Sequence, residues 1–162
     1  MTQPSSGRSR HETQFATPTD LELVITRTFD APRALVWSAF TDPKHLPRWQ
    51  PSMATMPVCE IDLRPGGVWR YVYRLTNGVE HTATGTFGDV DPPTLFVQLQ
   101  ERDGEASTST TRFAEENGRT TVTVSYAYAS VAAREQALKY AKFGAASSYD
   151  RLDTYLESPN NS

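Results

Sequence analysis

The sequence predicts an α+β fold in which an antiparallel sheet of about seven strands wraps round one long helix. Three observations carry this. Residues 60–71 read as two strands joined by a tight turn, with Pro65 presetting φ and Gly66-Gly67 opening the second strand. Asn77-Gly78 and Asn117-Gly118 are two-residue hairpin signals, because both turn positions tolerate positive φ. Short turns between consecutive strands imply an antiparallel meander. Residues 131–156 then form the one long helical segment, about 40 Å at 1.5 Å per residue.

Taken in order, residues 1–20 are rich in Ser, Thr, Gln, Pro and Arg, with Phe15 the only large apolar side chain after Met1. That composition does not repay its ordering entropy, so a disordered tail is expected, ahead of one domain over 21–158. Residues 21–29 read as a strand, with Leu21, Leu23, Ile25 and Phe29 on one face. Asp30 is placed to cap a first helix and Pro32 to enter its first turn. Leu35, Val36, Ala39 and Phe40 form its apolar stripe. A second short helix is expected over 43–49, distorted by Pro47. Strands follow at about 58–64, 67–76, 79–90, 95–102, 107–115 and 119–129. The middle of the long helix carries small residues, Ala137, Ala141, Gly144 and Ala145, which permit close approach to a sheet or leave room for something else.

Composition excludes several classes of function. The chain has 162 residues, enough for one domain with a sizeable core, and a net charge of −3, so no basic field favours nucleic acid. Arg8, Arg10 and His11 are too few and too dispersed for a nucleic-acid arm. No apolar run approaches the roughly 18 residues of a membrane span. The N-terminus has no hydrophobic signal core, and a cytoplasmic location is expected. Cys59, the single cysteine, has no internal disulfide partner and reads as a buried structural thiol. Three dispersed histidines and one cysteine give no metal-ligand spacing, and no phosphate loop, dinucleotide fingerprint or nucleophile elbow is present, so no metal or cofactor is expected.

What remains is an aromatic interior. Trp69, Tyr71 and Tyr73 alternate along one strand face. Tyr126 and Tyr128 share a face with Val122 and Val124. Trp49, Phe96, Phe143 and Tyr149 complete the candidate ligand-binding wall, with Gln98 as a polar contact. Core packing explains any one of these residues. Several inward phenols are easier to explain if they face a pocket, because each buried hydroxyl needs a partner. Ser107, Ser109 and Thr111 share parity with Phe113, and either they line the interior or their strand is exposed. His81 is the candidate catalytic base, although a lone strand histidine is more often a surface or hydrogen-bonded residue. His45 reads as surface.

Motifs sharpen the picture. Residues 28–37, Thr-Phe-Asp-Ala-Pro-Arg-Ala-Leu-Val-Trp, resemble the opening of the START-like (SRPBCC) superfamily, and residues 41–49, Thr-Asp-Pro-Lys-His-Leu-Pro-Arg-Trp, resemble its next conserved word. With Gly85-x-Phe87, then Asp91-Pro92-Pro93-x-Leu95, then Tyr149-Asp150-Arg151-Leu152, the order is similar to the bacterial branch named after the activator of the heat-shock-protein-90 ATPase. The resemblance implies a helix-grip fold: a curved sheet, two short helices after the first strand, and a C-terminal helix gripped across the sheet with a cavity between. Superfamily members bind lipids, sterols, polyketides or hormones there, and some catalyse ring closure. Two departures stand out. This chain has Trp49-Gln50 where relatives often have Trp-Trp, and Gly144-Ala145 where an aromatic often follows the glycine. If both positions line the cavity, it is larger and wetter here.

The expected function is non-catalytic binding of a small hydrophobic or amphipathic molecule, by a monomer or homodimer. A cyclase- or hydrolase-like enzyme is the first alternative and would need His81 beside a second polar group. A protein-interaction module, with a stress-related role, is the second. The chaperone-activating eukaryotic relatives carry a separate N-terminal domain, which is not expected here, so a chaperone partner is the less favoured expectation.

Overall fold

The computed structural model describes residues 11–157. Strands β1 (Gln14–Ala16) and β2 (Glu22–Phe29) are followed by helix α1 (Arg33–Thr41) and a single 3-10 turn (Leu46–Arg48). Six strands come next: β3 (Ala54–Ile61), β4 (Val68–Leu75), β5 (Glu80–Asp91), β6 (Leu95–Arg102), β7 (Glu105–Glu116) and β8 (Arg119–Tyr128). Helix α2 (Val131–Leu156) closes the chain. All pairings are antiparallel, in the order β1-β2-β8-β7-β6-β5-β4-β3. Bulges between Thr55 and Val58 and between Phe87 and Val90 add local twist and help the sheet curl.

Four expectations are corrected. The sheet has eight strands, because Gln14–Ala16 pairs with β2 and Phe15 packs against the core; residues 1–10 of the expected tail lie outside the described residues. The second helix shrinks to the 3-10 turn, since Pro47 cannot supply the N–H an α-helix needs. Asp30 does not cap α1; its carboxylate pairs with His11 at 3.0 Å and Arg119 at 3.1 Å instead. Asn77-Gly78 is not a two-residue turn. Gly78 N–H donates to Leu75 O at 2.9 Å and only Gly78, at φ 87°, is left-handed, so the loop spans Thr76–Gly78 with a bulge. Asn117-Gly118 does behave as expected, with φ of 55° and 78°.

In the first hairpin, Gly67 N–H donates to Arg64 O at 2.8 Å and Gly66 sits at φ 81°, a type II turn with Pro65 leading it. On the outer face Arg70–Glu60 (3.4 Å), Arg74–Glu80 (2.7 Å) and Arg64–Asp62 (2.9 Å) pair, each a small contribution at such exposure. Inside, Trp69 crosses β5 where Gly85 lies opposite it. A Cβ at Gly85 would stand 1.9 Å from Leu99 O and 2.8 Å from the Trp69 ring. Neither the paired backbone nor the packed indole can yield. Gly85→Ala is therefore expected to cost about 3 kcal/mol, read as a lowered urea midpoint at unchanged slope.

The closed core occupies one end of the concave face. Trp37 packs edge-on to Phe96 and Phe113, and Phe40 to Phe113, so α1 seals β6 and β7. Phe29, Val122 and Leu152 are fully buried there.

Candidate binding site

Strand register defines the other end of the concave face. Tyr71 and Tyr73 on β4 lie opposite Ala83 and His81. Gln98 lies opposite Ser109, Ser109 opposite Tyr126, and Ser107 opposite Tyr128. Directly opposed residues of an antiparallel pair share a face, so Tyr71, Tyr73, Gln98, Ser107, Ser109, Tyr126 and Tyr128 all point to the side that α2 covers. The question left by the parity of Ser107, Ser109 and Thr111 is thus settled: they face inward, with Thr111 and Phe113 buried.

The phenols converge. β4 and β8 are four strands apart, about 19 Å in a flat sheet at 4.8 Å per strand. Yet Gln98 Nε2 donates to Tyr71 Oη at 3.1 Å, and Tyr126 is close enough to disfavour ionisation of Tyr71, Tyr73, Tyr128 and Tyr149. The sheet curls them round one region. Tyr126 and Tyr128 run parallel, with centroids 6.0 Å apart at 14°.

Three arginines hold the helix over this region, and none was among the sequence candidates. Arg27 sits at inward parity between Ile25 and Phe29, 1% exposed. Its Nη2 donates to Asp153 at 2.7 Å and Asp150 at 3.0 Å, and its Nη1 to Thr13 Oγ1 at 2.7 Å. Arg134 Nη1 donates to Thr19 O at 3.0 Å and Glu22 O at 3.3 Å, pinning the first turns of α2. Arg151 donates to Trp49 O at 3.1 Å and to Pro51 O, while Ser148 Oγ donates to Gln50 O at 2.6 Å. Ser130 caps the helix by accepting from Ala133 N–H at 3.1 Å. Between these anchors the helix presents Ala137, Ala141 and Ala145 inward, and a Cβ at Gly144 would meet nothing within 4 Å.

The candidate wall therefore divides. Tyr71, Tyr73, Gln98, Tyr126 and Tyr128 come together, whereas the Tyr149 ring packs into the closed core against Phe29, Phe40 and Trp49, at 5.8, 6.3 and 6.0 Å. Trp69 packs against Tyr71 at 5.1 Å but is sealed, its Nε1 donating to Thr86 O at 3.1 Å. Trp49 is core, not wall: it is 1% exposed and its Nε1 donates to Ala39 O at 2.9 Å. Phe96 is likewise core. Phe143 is 73% exposed; two residues on from Ala141, it stands about 200° round the helix. His81 shares Tyr73's face but is exposed at the sheet end, so it is not an enclosed base. His45 is half-buried, its Nδ1 2.6 Å from Tyr155 Oη, which corrects its surface reading. Of the two departures noted above, Gln50 faces this region, its Oε1 accepting from Tyr73 Oη at 2.9 Å, while Ala145 is half-buried against the core.

Hydrogen-bond accounting separates the hydroxyls. Among the described residues Tyr126, Tyr128 and Tyr149 find no protein partner for theirs. None of the three oxygens is sealed either, since the sealed and unpaired side-chain atoms are Arg27 Nε and Arg134 Nε. Burial raises the pKa of every phenol here. Tyr73 reaches about 12, the hydrogen bond to Gln50 offsetting part of the rise. Burial, then the charges of Asp42 and Glu60, lifts the Cys59 thiol to about 11, so it is not a reactive thiolate. For Tyr73 the sign is plain. The unfolded phenol ionises near 10 and the folded one near 12. Its contribution to stability is thus complete below pH 10 and is lost as pH rises through about 12. Ultraviolet titration is expected to show the cluster ionising only together with alkaline unfolding.

A hollow of about 280 Å³ lies on the outer face, lined by His11, Thr28, Glu116, Asn117, Arg119 and Thr121. No helix among the described residues is long and apolar enough to cross a membrane, and no group of three or more His, Cys, Asp or Glu is placed to hold a metal.

A curled antiparallel sheet holding a C-terminal helix, with phenols converging between them, defines a helix-grip protein of the START-like class. Residues 30–157 match the family described as Activator of Hsp90 ATPase homolog 1-like protein, and the chain belongs to that family. Protein Ms6760 of Mycobacterium smegmatis is 30% identical with a TM-score of 0.77, over 90% of this chain and 97% of that one. A Rhodobacter sphaeroides protein is 25% identical with a TM-score of 0.83, over 90% and 98%. An AHSA1-like protein from Aeromonas hydrophila, 23% identical over 83% and 95%, shares the fold with a TM-score of 0.65. No curated protein matches the chain.

Proposed function

We propose that this protein binds a small hydrophobic or amphipathic molecule, without catalysis, in a space between the sheet and the first half of α2. One observation carries the reading: Tyr126 and Tyr128 face the helix-covered side of the sheet with hydroxyls that have no protein partner among the described residues and are not sealed. A close-packed core would seal these oxygens; that they are reachable means there is room beside them for water or for a ligand's polar group. The inward stripe of Ala137, Ala141 and Ala145 supports it, since larger residues there would occupy the same space. Aromatic walls with a few convergent polar groups are the ordinary lining of a small-molecule site.

Titration with the neutral dye Prodan tests this. The reading expects saturable emission that a competing ligand displaces. Emission that rises without saturation overturns it.

A further inference from the structure

Phe143 belongs neither to the candidate site nor to the core. It is 73% exposed, and Tyr140 one turn before it is 68% exposed. Single apolar residues on a surface need no explanation, but these two stand in a pattern. Ala132, Gln136, Lys139, Phe143, Ala146 and Asp150 follow one another at spacings of 4, 3, 4, 3 and 4, the repeat that lays one helix against another. At 3.6 residues per turn each stands about 140–180° from the inward Ala141. All but the half-buried Ala146 are exposed.

Charge runs along α2 with a definite sense. Arg134, Lys139 and Lys142 outnumber Glu135 in its first half, which holds two of the chain's three lysines. Asp150 and Asp153 outnumber Arg151 in its second half. No acid lies in the first turn and no base in the last, so these charges add to the helix dipole instead of offsetting it. A second α2 laid parallel would set Lys139 against Lys139 and Asp150 against Asp150. Laid antiparallel about a two-fold axis, residue i meets residue j and j meets i. With that axis between Gly144 and Ala145, Lys139 meets Asp150 and Phe143 meets Ala146, large against small, on both sides of it. The Asp150 side chain stays 55% exposed while it holds Arg27 at 3.0 Å, so a cation can reach it from outside.

We infer that the outward face of α2 docks a second copy of this chain, the two helices antiparallel, with Phe143 seated on Ala146 and Lys139 paired with Asp150 of the other copy. Tyr140 and Ser147 share one flank of this seam, at a spacing that opposes them across the axis. One helix pair is smaller than the interface of an obligate dimer, so the association is weak, with a dissociation constant of about 100 μM. The surface lies on the far side of α2 from the candidate binding site, so the inference stands or falls apart from the binding reading.

Sedimentation equilibrium of the full chain from about 10 μM to about 1 mM tests it. The mean mass is expected to rise from 18.1 kDa toward twice that value. Phe143→Ser is expected to stay monomeric throughout with an unchanged urea midpoint, since the side chain is exposed in its own copy. Lys139→Glu is expected to weaken association about tenfold or more, because it opposes two carboxylates on both sides of the axis. Mixing Phe143→Cys with Ala146→Cys under mild oxidation checks the register. A disulfide between the two variants is expected, whereas Ala132→Cys mixed with Ala146→Cys is expected to give none. Cys59 is half-buried with its thiol raised to about 11, so it stays out of the exchange. A protein still monomeric at about 1 mM overturns the inference, and sedimentation of that monomer with phosphatidylglycerol vesicles would assign the face to a lipid surface instead. Dimers that both Phe143→Ser and Lys139→Glu leave intact, or mixed variants that form no disulfide, overturn it by placing the contact elsewhere.

Discussion

Arg27→Met is expected to lower the unfolding free energy by about 3 kcal/mol. The guanidinium is 1% exposed and lies over the Phe29 ring at 5.5 Å, so its removal takes a cation from a place water does not reach. Asp153, its side chain 11% exposed, loses the guanidinium 2.7 Å away; Asp150, at 55%, is well hydrated and adds little. The value therefore sits at the lower end of the range for breaking a buried pair. Arg27→Met combined with Asp153→Leu is expected to recover part of the loss, because the pair is then replaced by apolar side chains of similar size. Urea midpoints of the two single variants and the double variant measure this. A single variant within about 0.5 kcal/mol of wild type would show that Arg27 does not hold the helix to β2.

Ala141→Trp is expected to abolish Prodan binding, by more than tenfold, while the fold survives. Ala141 is half-buried on the inward stripe of α2, between Ala137 and Ala145. If the region beneath is open, an indole fits without displacing packed atoms and takes the ligand's place. If the region is a close-packed core, the same indole overpacks it and costs about 1–3 kcal/mol. The urea midpoint and the dye titration read together separate the cases. A destabilised protein that never bound the dye contradicts the account.

The fold was legible because its signals are local. Alternation along residues 68–75, the Pro65-Gly66 turn and the long helical segment each need only near neighbours. The inward direction of Tyr71, Tyr73, Tyr126 and Tyr128 was legible for the same reason, since strand parity alone puts them on common faces. What stayed hidden depends on long-range pairing. Arg27 finds Asp153 at 126 residues' separation, and no periodicity encodes that. The available signal was a charge at inward parity between Ile25 and Phe29. The tail strand around Phe15 was hidden because three residues carry too little pattern, and it is β2 that gives them a partner. Phe143 was misplaced by taking aromatic character for an inward direction, when its angle from Ala141 points it to solvent. Trp49 and Phe96 were correctly inward, but α1 seals them with Trp37 and Phe40.

Amide shift mapping with fluorenone tests the central claim most directly. The account predicts saturable shifts concentrated at Tyr71, Gln98, Tyr126, Tyr128 and Ala141, absent in Ala141→Trp. Shifts confined to the outer-face hollow around Thr28 and Arg119, or none at saturating probe, would contradict it.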